Sequence, residues 1–120
     1  MSFYPSNILV TGAAGFIGCN FVRMMLRDYS NIHVISYDKL TYAGMLDNLK
    51  DVLDNPQHTF VKGDVCNRTQ VASTLRKYKV NAIVHFAAES HVDNSINEPE
   101  VFFQSNVMGS LSLMDEARKY

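Results

Sequence analysis

Ile8-Leu9-Val10-Thr11-Gly12-Ala13-Ala14-Gly15-Phe16-Ile17-Gly18 is the stretch that decides how this chain reads. A short, mostly branched apolar run stops at a glycine-rich turn. The turn opens an apolar helix pattern carried by Phe16, Ile17, Phe21, Val22, Met25 and Leu26. Such a turn makes an anion site. Gly12 and Gly15 permit a tight bend and let the backbone approach a pyrophosphate, whose charge then meets the unpaired N–H groups at the helix start. Gly18, one turn inside, lets helix and sheet come close. The spacing is G-x-x-G-x-x-G rather than G-x-G-x-x-G, so the glycines by themselves also suit an ordinary strand–helix turn.

Asp38 sharpens the reading. A second apolar run, Ile32 to Tyr37, ends at this carboxylate, 20 residues beyond Gly18. There it is placed to accept hydrogen bonds from the adenosine ribose hydroxyls and to repel the 2′-phosphate of NADP, which favours NAD. Lys39, next in the chain, tempers that discrimination.

Eleven Lys and Arg against twelve Asp and Glu leave a formal net charge of -1. No basic surplus therefore argues for nucleic acid or an anionic membrane surface as partner. The first residues lack the basic segment and apolar run of a signal peptide, and no stretch reaches the ~18 apolar residues of a membrane span. Two cysteines, Cys19 and Cys66, are too few for a disulfide framework and read as thiols in a reducing cytoplasm.

The strand–helix alternation continues along the chain. Strands are predicted over 7–11, 32–37, 59–62 and 82–86, the last nearly continuous in apolar residues, as when both sheet faces are covered. Helices are predicted over 15–28, through Met45, Leu49, Val52 and Leu53, and from Asn67 through Val71, Leu75 and Tyr78, where Asn67 and Gln70 resemble a capping box. Pro99 opens a last helix that runs to Arg118 or beyond. Right-handed crossovers between these units give an α/β fold, a doubly wound parallel sheet of the Rossmann type ordered 3-2-1-4. The last helix carries two apolar stripes: Phe103, Val107, Leu111 and Met114 on one, Phe102, Leu113 and Ala117 on the other. One stripe can face the sheet; the other, with Phe102 and Leu113, calls for a downstream helix or a second subunit. A fifth strand is expected after Tyr120. Residues 1–120 thus read as the N-terminal half of a larger NAD-binding domain, without a C-terminal substrate domain.

A dinucleotide lies across the carboxyl ends of such a sheet. Asp64, just past strand three, reads equally as a turn residue or as an acceptor for the adenine amino group. Ala87 and Ala88, past strand four, are small enough to let ribose and pyrophosphate pass, or simply to pack tightly. Glu89-Ser90-His91-Val92-Asp93-Asn94-Ser95 follows, dense in polar groups. His85, Glu89, His91 and Asp93 fit no zinc spacing, and Ser90 beside His91 lacks a nucleophile elbow. A loop facing nicotinamide or sugar, with Ser90 offering a hydroxyl, and a plain polar loop both stay open.

Thr11 to Gly18, the Asp38-Lys39-Leu40-Thr41-Tyr42-Ala43-Gly44 loop, Lys62-Gly63-Asp64-Val65 and His85-Phe86-Ala87-Ala88-Glu89-Ser90-His91-Val92-Asp93 together resemble the extended short-chain dehydrogenase/reductases. Within that family the chain is most similar to the nucleotide-sugar 4,6-dehydratases, over nearly its whole length. The resemblance implies that Phe16 and Ile17 touch the pyrophosphate and that Asp38, Lys39, Leu40 and Thr41 hold the adenosine ribose. It implies that Asp64 and Val65 frame the adenine, and that Phe86, Ala87, Ala88, Glu89 and Ser90 line the nicotinamide side. Ser90 would also reach the sugar nucleotide, and Ser105 would contact the cofactor. Asn94 stands where the family often has Arg, and Met45 where dTDP-sugar enzymes usually have Asn, so a dTDP-glucose or a UDP-glucose substrate is left open. The family's Tyr-x-x-x-Lys pair and its Asp-Glu acid/base pair do not occur here, so no catalytic residue and no metal ligand is expected within the 120 residues. For the full-length enzyme the resemblance implies an internal redox cycle. Hydride leaves sugar C4, water is lost across C5–C6, and hydride returns to C6, with NAD as carrier. It also implies a cytoplasmic homodimer paired through the helix from Pro99 to Tyr120. A UDP-sugar 4-epimerase is the nearest alternative. A non-catalytic NAD-binding sensor or scaffold is the alternative of another class, and a downstream Tyr-x-x-x-Lys separates it from an enzyme.

Overall fold

The computed structural model describes residues 5–41, 45–86 and 109–120. Strand β1 (Asn7–Thr11) leads to helix α1 (Phe16–Asp28), strand β2 (His33–Asp38) and a 3-10 turn (Met45–Leu49). Strand β3 (His58–Lys62), helix α2 (Arg68–Lys77), strand β4 (Ala82–His85) and helix α3 (Gly109–Lys119) follow. The strands pair in parallel in the order β3-β2-β1-β4, as expected. Register sets Thr11 beside Tyr37 and His85, and Asp38 beside Lys62. Because every pairing is parallel, all four carboxyl ends share one edge of the sheet.

Alternation along the strands builds a core on each face. Ile8, Val10 and Val34 point to one side and bury with Ala13, Ala14, Cys19 and Val22 of the glycine turn and α1, and with Met45 and Leu49 of the 3-10 turn. Leu9, Ile35 and Tyr37 point to the other and bury with Val71 and Leu75 of α2 and Leu113 of α3. Both faces of β1 and β2 are therefore covered, the condition for a doubly wound sheet. Strand β4 lies at the sheet's edge among the described residues, as the order 3-2-1-4 implies; Ala82 and Val84 pack against one core and Ile83 against the other, all three half-buried.

Three local expectations are corrected. The helix predicted through Met45, Leu49, Val52 and Leu53 is a 3-10 turn followed by further turns. It is closed by i→i+3 bonds from Lys50 N to Asp47 O and from Val52 N to Leu49 O. An α-helix would offer the Asn48 carbonyl to Val52, whereas the Arg23 guanidinium takes it instead. Only half of the capping box forms: the Asn67 side chain accepts from Gln70 N at 3.1 Å, but the Gln70 amide turns away to donate to Lys62 O at 2.8 Å. Last, Leu113 does not await a partner. It is 4% exposed in this chain's own core, while Met114, on the stripe expected to be able to cover the sheet, is 69% exposed. Phe102, Phe103 and Val107 lie outside the described residues.

Candidate dinucleotide site

The glycine turn is built as its sequence requires. Gly12 has a φ of 68°, the left-handed region that a side chain disfavours, and its N–H donates to Tyr37 O at 2.9 Å. Its carbonyl turns back to accept from Gly15 N at 3.1 Å. Gly15 is the N-cap of α1, and no side chain caps that end. The first N–H groups of the helix thus have no intrahelical acceptor. A Cβ on Gly18 would lie 2.2 Å from Gly12 O, so only glycine lets α1 sit this low on β1. Phe16 and Ile17, counted in the apolar helix pattern, are 81% and 66% exposed. They stand at the open end of α1 rather than in the core.

Asp38 sits at the end of β2 with its carboxylate turned towards this loop. Oδ2 accepts from Ala14 N at 3.0 Å and Oδ1 from Leu40 N at 2.8 Å, and the residue is 7% exposed. Each carboxylate oxygen has a further lone pair, so the group can still accept from a diol at its remaining exposed edge. The bond to Asp38 holds Leu40 in the left-handed region, at φ 57°.

Beyond Asp38, Lys39, Thr41, Lys62, Gly63 and Asp64 line an open cleft of about 490 Å³ at the ends of β2 and β3. Lys39 Nζ lies 3.7 Å from Asp64 Oδ2, while Asp64 Oδ1 accepts from Cys66 N at 2.9 Å. Asp64 therefore is both the turn residue and a carboxylate facing the cleft. Tyr37 anchors this turn from below, its hydroxyl donating to Asp64 O at 3.0 Å. Burial pushes the phenol well above its usual range, and the Asp64 charge adds to the shift. The Val65 side chain is buried beside Leu9 and Ile35, which leaves only its backbone to the cleft. Phe86 packs edge-on against Phe21 at 5.5 Å between centroids and is tied through its N–H to Thr11 O. At the ends of β1 and β4, Thr11 Oγ1 and His85 Nδ1 are 2.6 Å apart. Ala87, Ala88, Glu89, Ser90 and Ser105 lie outside the described residues.

Sequence reasoning missed Ala14, Asn48 and Arg23. The Asn48 amide donates to Ala14 O at 2.7 Å, and Arg23 bonds both Asn48 O and Asp51. No local signal marks these residues, because the bonds join positions more than 20 residues apart. Among the described residues no group of three or more His, Cys, Asp or Glu side chains can hold a metal, and no helix is long and apolar enough to cross a membrane.

The arrangement fits a dinucleotide on two structural counts: an uncapped helix start behind a turn that a Cβ would block, and a carboxylate on the adjoining strand end. Residues 9–120 match the family model for GDP-mannose 4,6 dehydratase, and the chain belongs to that family. It is 45% identical over 113 residues to the dTDP-glucose 4,6-dehydratase of Neisseria meningitidis serogroup B, covering 94% of this chain and 32% of the relative. Among solved structures it resembles the dTDP-glucose 4,6-dehydratase DesIV of Streptomyces venezuelae, which has NAD bound. There the TM-score is 0.86 and the identity 47%, over 94% of this chain and 36% of that one. The UDP-glucose 4-epimerase of Thermotoga maritima matches at a TM-score of 0.82 and 31% identity, over 95% of this chain and 34% of that one. The chain thus spans about a third of the length of the relatives it matches.

Proposed function

We propose that these residues form the NAD-binding part of a nucleotide-sugar 4,6-dehydratase whose substrate is dTDP-glucose. The observation that carries the reading is the union of the Gly12–Gly15 turn with Asp38: an anion seat and a diol acceptor joined by one hydrogen bond. Identity of 45% and 47% to dTDP-glucose 4,6-dehydratases, against 31% to a UDP-glucose 4-epimerase, favours dehydration over epimerisation. Asn94 and Met45 keep UDP-glucose as the second substrate to test.

In this reading the N–H groups of Phe16 and Ile17 meet the pyrophosphate, and their exposed side chains shield it from water. Asp38 accepts from the adenosine ribose. Lys39, Leu40 and Thr41 shape the ribose side of the cleft, and Asp64 with the Val65 backbone borders the adenine. Phe86 to Ser90 and Ser105 serve the nicotinamide side, and Ser90 also the sugar. NAD, when bound, supplies a temporary acceptor for hydride from the sugar. The proton-transferring groups belong to segments of the full-length enzyme outside these 120 residues, so this chain alone has no dehydratase activity. The enzyme works in the cytoplasm, where a reducing environment keeps Cys19 and Cys66 from forming disulfides. It pairs as a homodimer through the C-terminal helix, described over Gly109–Lys119.

The test is to incubate the full-length enzyme with dTDP-glucose and with UDP-glucose and to follow sugar products by mass and by NMR. The expected product is a 4-keto-6-deoxy sugar, formed faster from dTDP-glucose and without net release of NADH. A 4-epimer as product, or NAD binding without turnover of either sugar, would overturn the dehydratase assignment.

A further inference from the structure

Within the glycine turn, Ala14 has both its N–H and its carbonyl held by side chains from elsewhere in the chain. Its N–H goes to Asp38 Oδ2 at 3.0 Å, 24 positions away, and its carbonyl accepts from Asn48 Nδ2 at 2.7 Å, 34 positions away. In a planar trans peptide the carbonyl and the next N–H point in opposite directions. Fixing the Ala14 carbonyl therefore also aims the Gly15 N–H, which donates to Gly12 O at 3.1 Å. Gly15 caps α1, so the orientation of this peptide passes directly to the open N–H groups of the helix start.

Asn48 is itself held in place. Arg23, two turns along α1 from the open end, donates to Asn48 O and, through Nε, to Asp51 Oδ2 at 2.8 Å. On either side of Asn48 the 3-10 turn is anchored by Met45 and Leu49, both buried against α1 and β1. The bonds close a circuit from α1 to the 3-10 turn, from there to Ala14, and back to the start of α1. An asparagine in a surface turn is ordinarily a solvated residue. Here its backbone carbonyl and its side-chain amide are both committed inward.

We propose that Asn48 is a positioning residue of the dinucleotide site: it sets the glycine turn through the Ala14 carbonyl, with Arg23 holding it in register. The proposal rests on the NAD-binding reading of that turn. It gives the segment after β2 a second use beyond connecting strands, which is to fix the pyrophosphate seat from the side opposite Asp38. Pyrophosphate-bearing ligands should therefore feel the loss of Asn48, and a bare nucleoside should not. An isosteric Asn48→Asp exchange keeps the shape and turns a donor into a carboxylate facing a carbonyl, a sharper test than Asn48→Ala.

The experiment uses the full-length protein and its Asn48→Asp and Asn48→Ala variants. NAD and ADP affinities are measured by calorimetry, adenosine by competition, and hydrogen–deuterium exchange is followed in the peptide over residues 12–20 without ligand. The expected result is NAD and ADP weakened about tenfold, as loss of one hydrogen bond and a repulsive contact implies. Adenosine should stay within about twofold, the limit of a change that no lost hydrogen bond is needed to explain. Exchange at the glycine turn should be faster in both variants. Equal weakening of adenosine and NAD would reduce Asn48 to general scaffolding and overturn the proposal, as would unchanged NAD affinity with unchanged exchange. A wild-type protein that binds no NAD would overturn the cofactor reading itself, an outcome distinct from wild-type binding that the variants leave intact.

Discussion

Gly18 and Asp38 are separated by 20 residues in the chain and meet the same turn from two sides. A Cβ at Gly18 would press on the Gly12 carbonyl, a backbone atom that cannot rotate aside. Gly18→Ala should cost about 1–3 kcal/mol as overpacking between helix and strand, read as a lower urea midpoint. An unchanged midpoint would mean that α1 rides higher on β1 than described. Asp38 has a second role beside the one its position suggests, because it accepts from two backbone N–H groups before any ligand arrives. Asp38→Asn would set an amide NH2 against one of those donors. The variant should lose about 1–3 kcal/mol of stability together with its preference for NAD. In the wild type that preference over NADP should be at least about tenfold, for want of a cation replacing Asp38 at the ribose. Equal affinities on titration would show Lys39 to dominate. The place of Asp38 at a strand end beside the glycine turn was legible from spacing. Its clasp on Ala14 was not, because a backbone N–H carries no mark in the sequence.

The elements were legible by type and blurred where side chains from distant segments intervene. Periodicity at Met45, Leu49, Val52 and Leu53 reads as an α-helix, and Arg23 diverts one carbonyl to leave a tighter turn. In α3 the two apolar stripes were visible, but not which one this chain buries. Leu113 goes inward beside Leu75 and Val80, and Arg68 on α2 adds an ion pair to Asp115 at 2.9 Å. Leu113→Ala should therefore destabilise by about 2–5 kcal/mol, as a buried leucine truncation does. Arg68→Ala should cost less than about 1 kcal/mol, because the pair is partly solvated. Comparable losses from the two, measured by chemical denaturation, would place α3's anchor in the ion pair instead. Self-association is better probed at the exposed Met114, since a charge at Leu113 disrupts the core itself. If the proposed dimer uses this helix, Met114→Glu should shift the sedimentation of the full-length enzyme towards monomer without lowering its unfolding midpoint.

Near neutral pH, two histidines among the described residues couple the stability of the molecule to acid. His58 is buried with its Nε2 2.7 Å from Ser36 Oγ. Burial first, and the nearby His33 second, push its imidazole below the usual 6.5. Burial lowers His85 as well. Below pH 6.5 the unfolded chain thus takes up protons that the folded chain resists. The stability is full above that value and falls as pH drops through 6.5 towards the lowered folded values. Asp51 and Asp115, held down by Arg23 and Arg68, act in a separate window, losing their contribution below the ordinary carboxylate value of 3.8. Urea midpoints should accordingly decline between pH 7.5 and pH 5.5, and His58→Gln should flatten part of that slope. A profile level across the histidine window would contradict the buried, neutral state of His58.

Strand order, parallel pairing and the position of the glycine turn follow from local composition alone. β-branched runs, glycine spacing and crossover handedness act over a few residues and leave the chain few alternatives. The same short-range rules placed Asp38, Lys39, Thr41 and Asp64 at one sheet edge, since each ends a strand or lies within three residues of its end. Tertiary structure alone decided what holds that edge in shape. Ala14 between Asp38 and Asn48, Tyr37 beneath Asp64, and Leu113 inside rather than outside are all outcomes of packing between segments 24 to 104 positions apart, Leu9 to Leu113 being the longest. Periodicity can say that a side chain is apolar or that an amide can donate. Which partner it meets depends on how two elements close on one another, and that free energy is shared among many contacts that no single stretch of sequence contains.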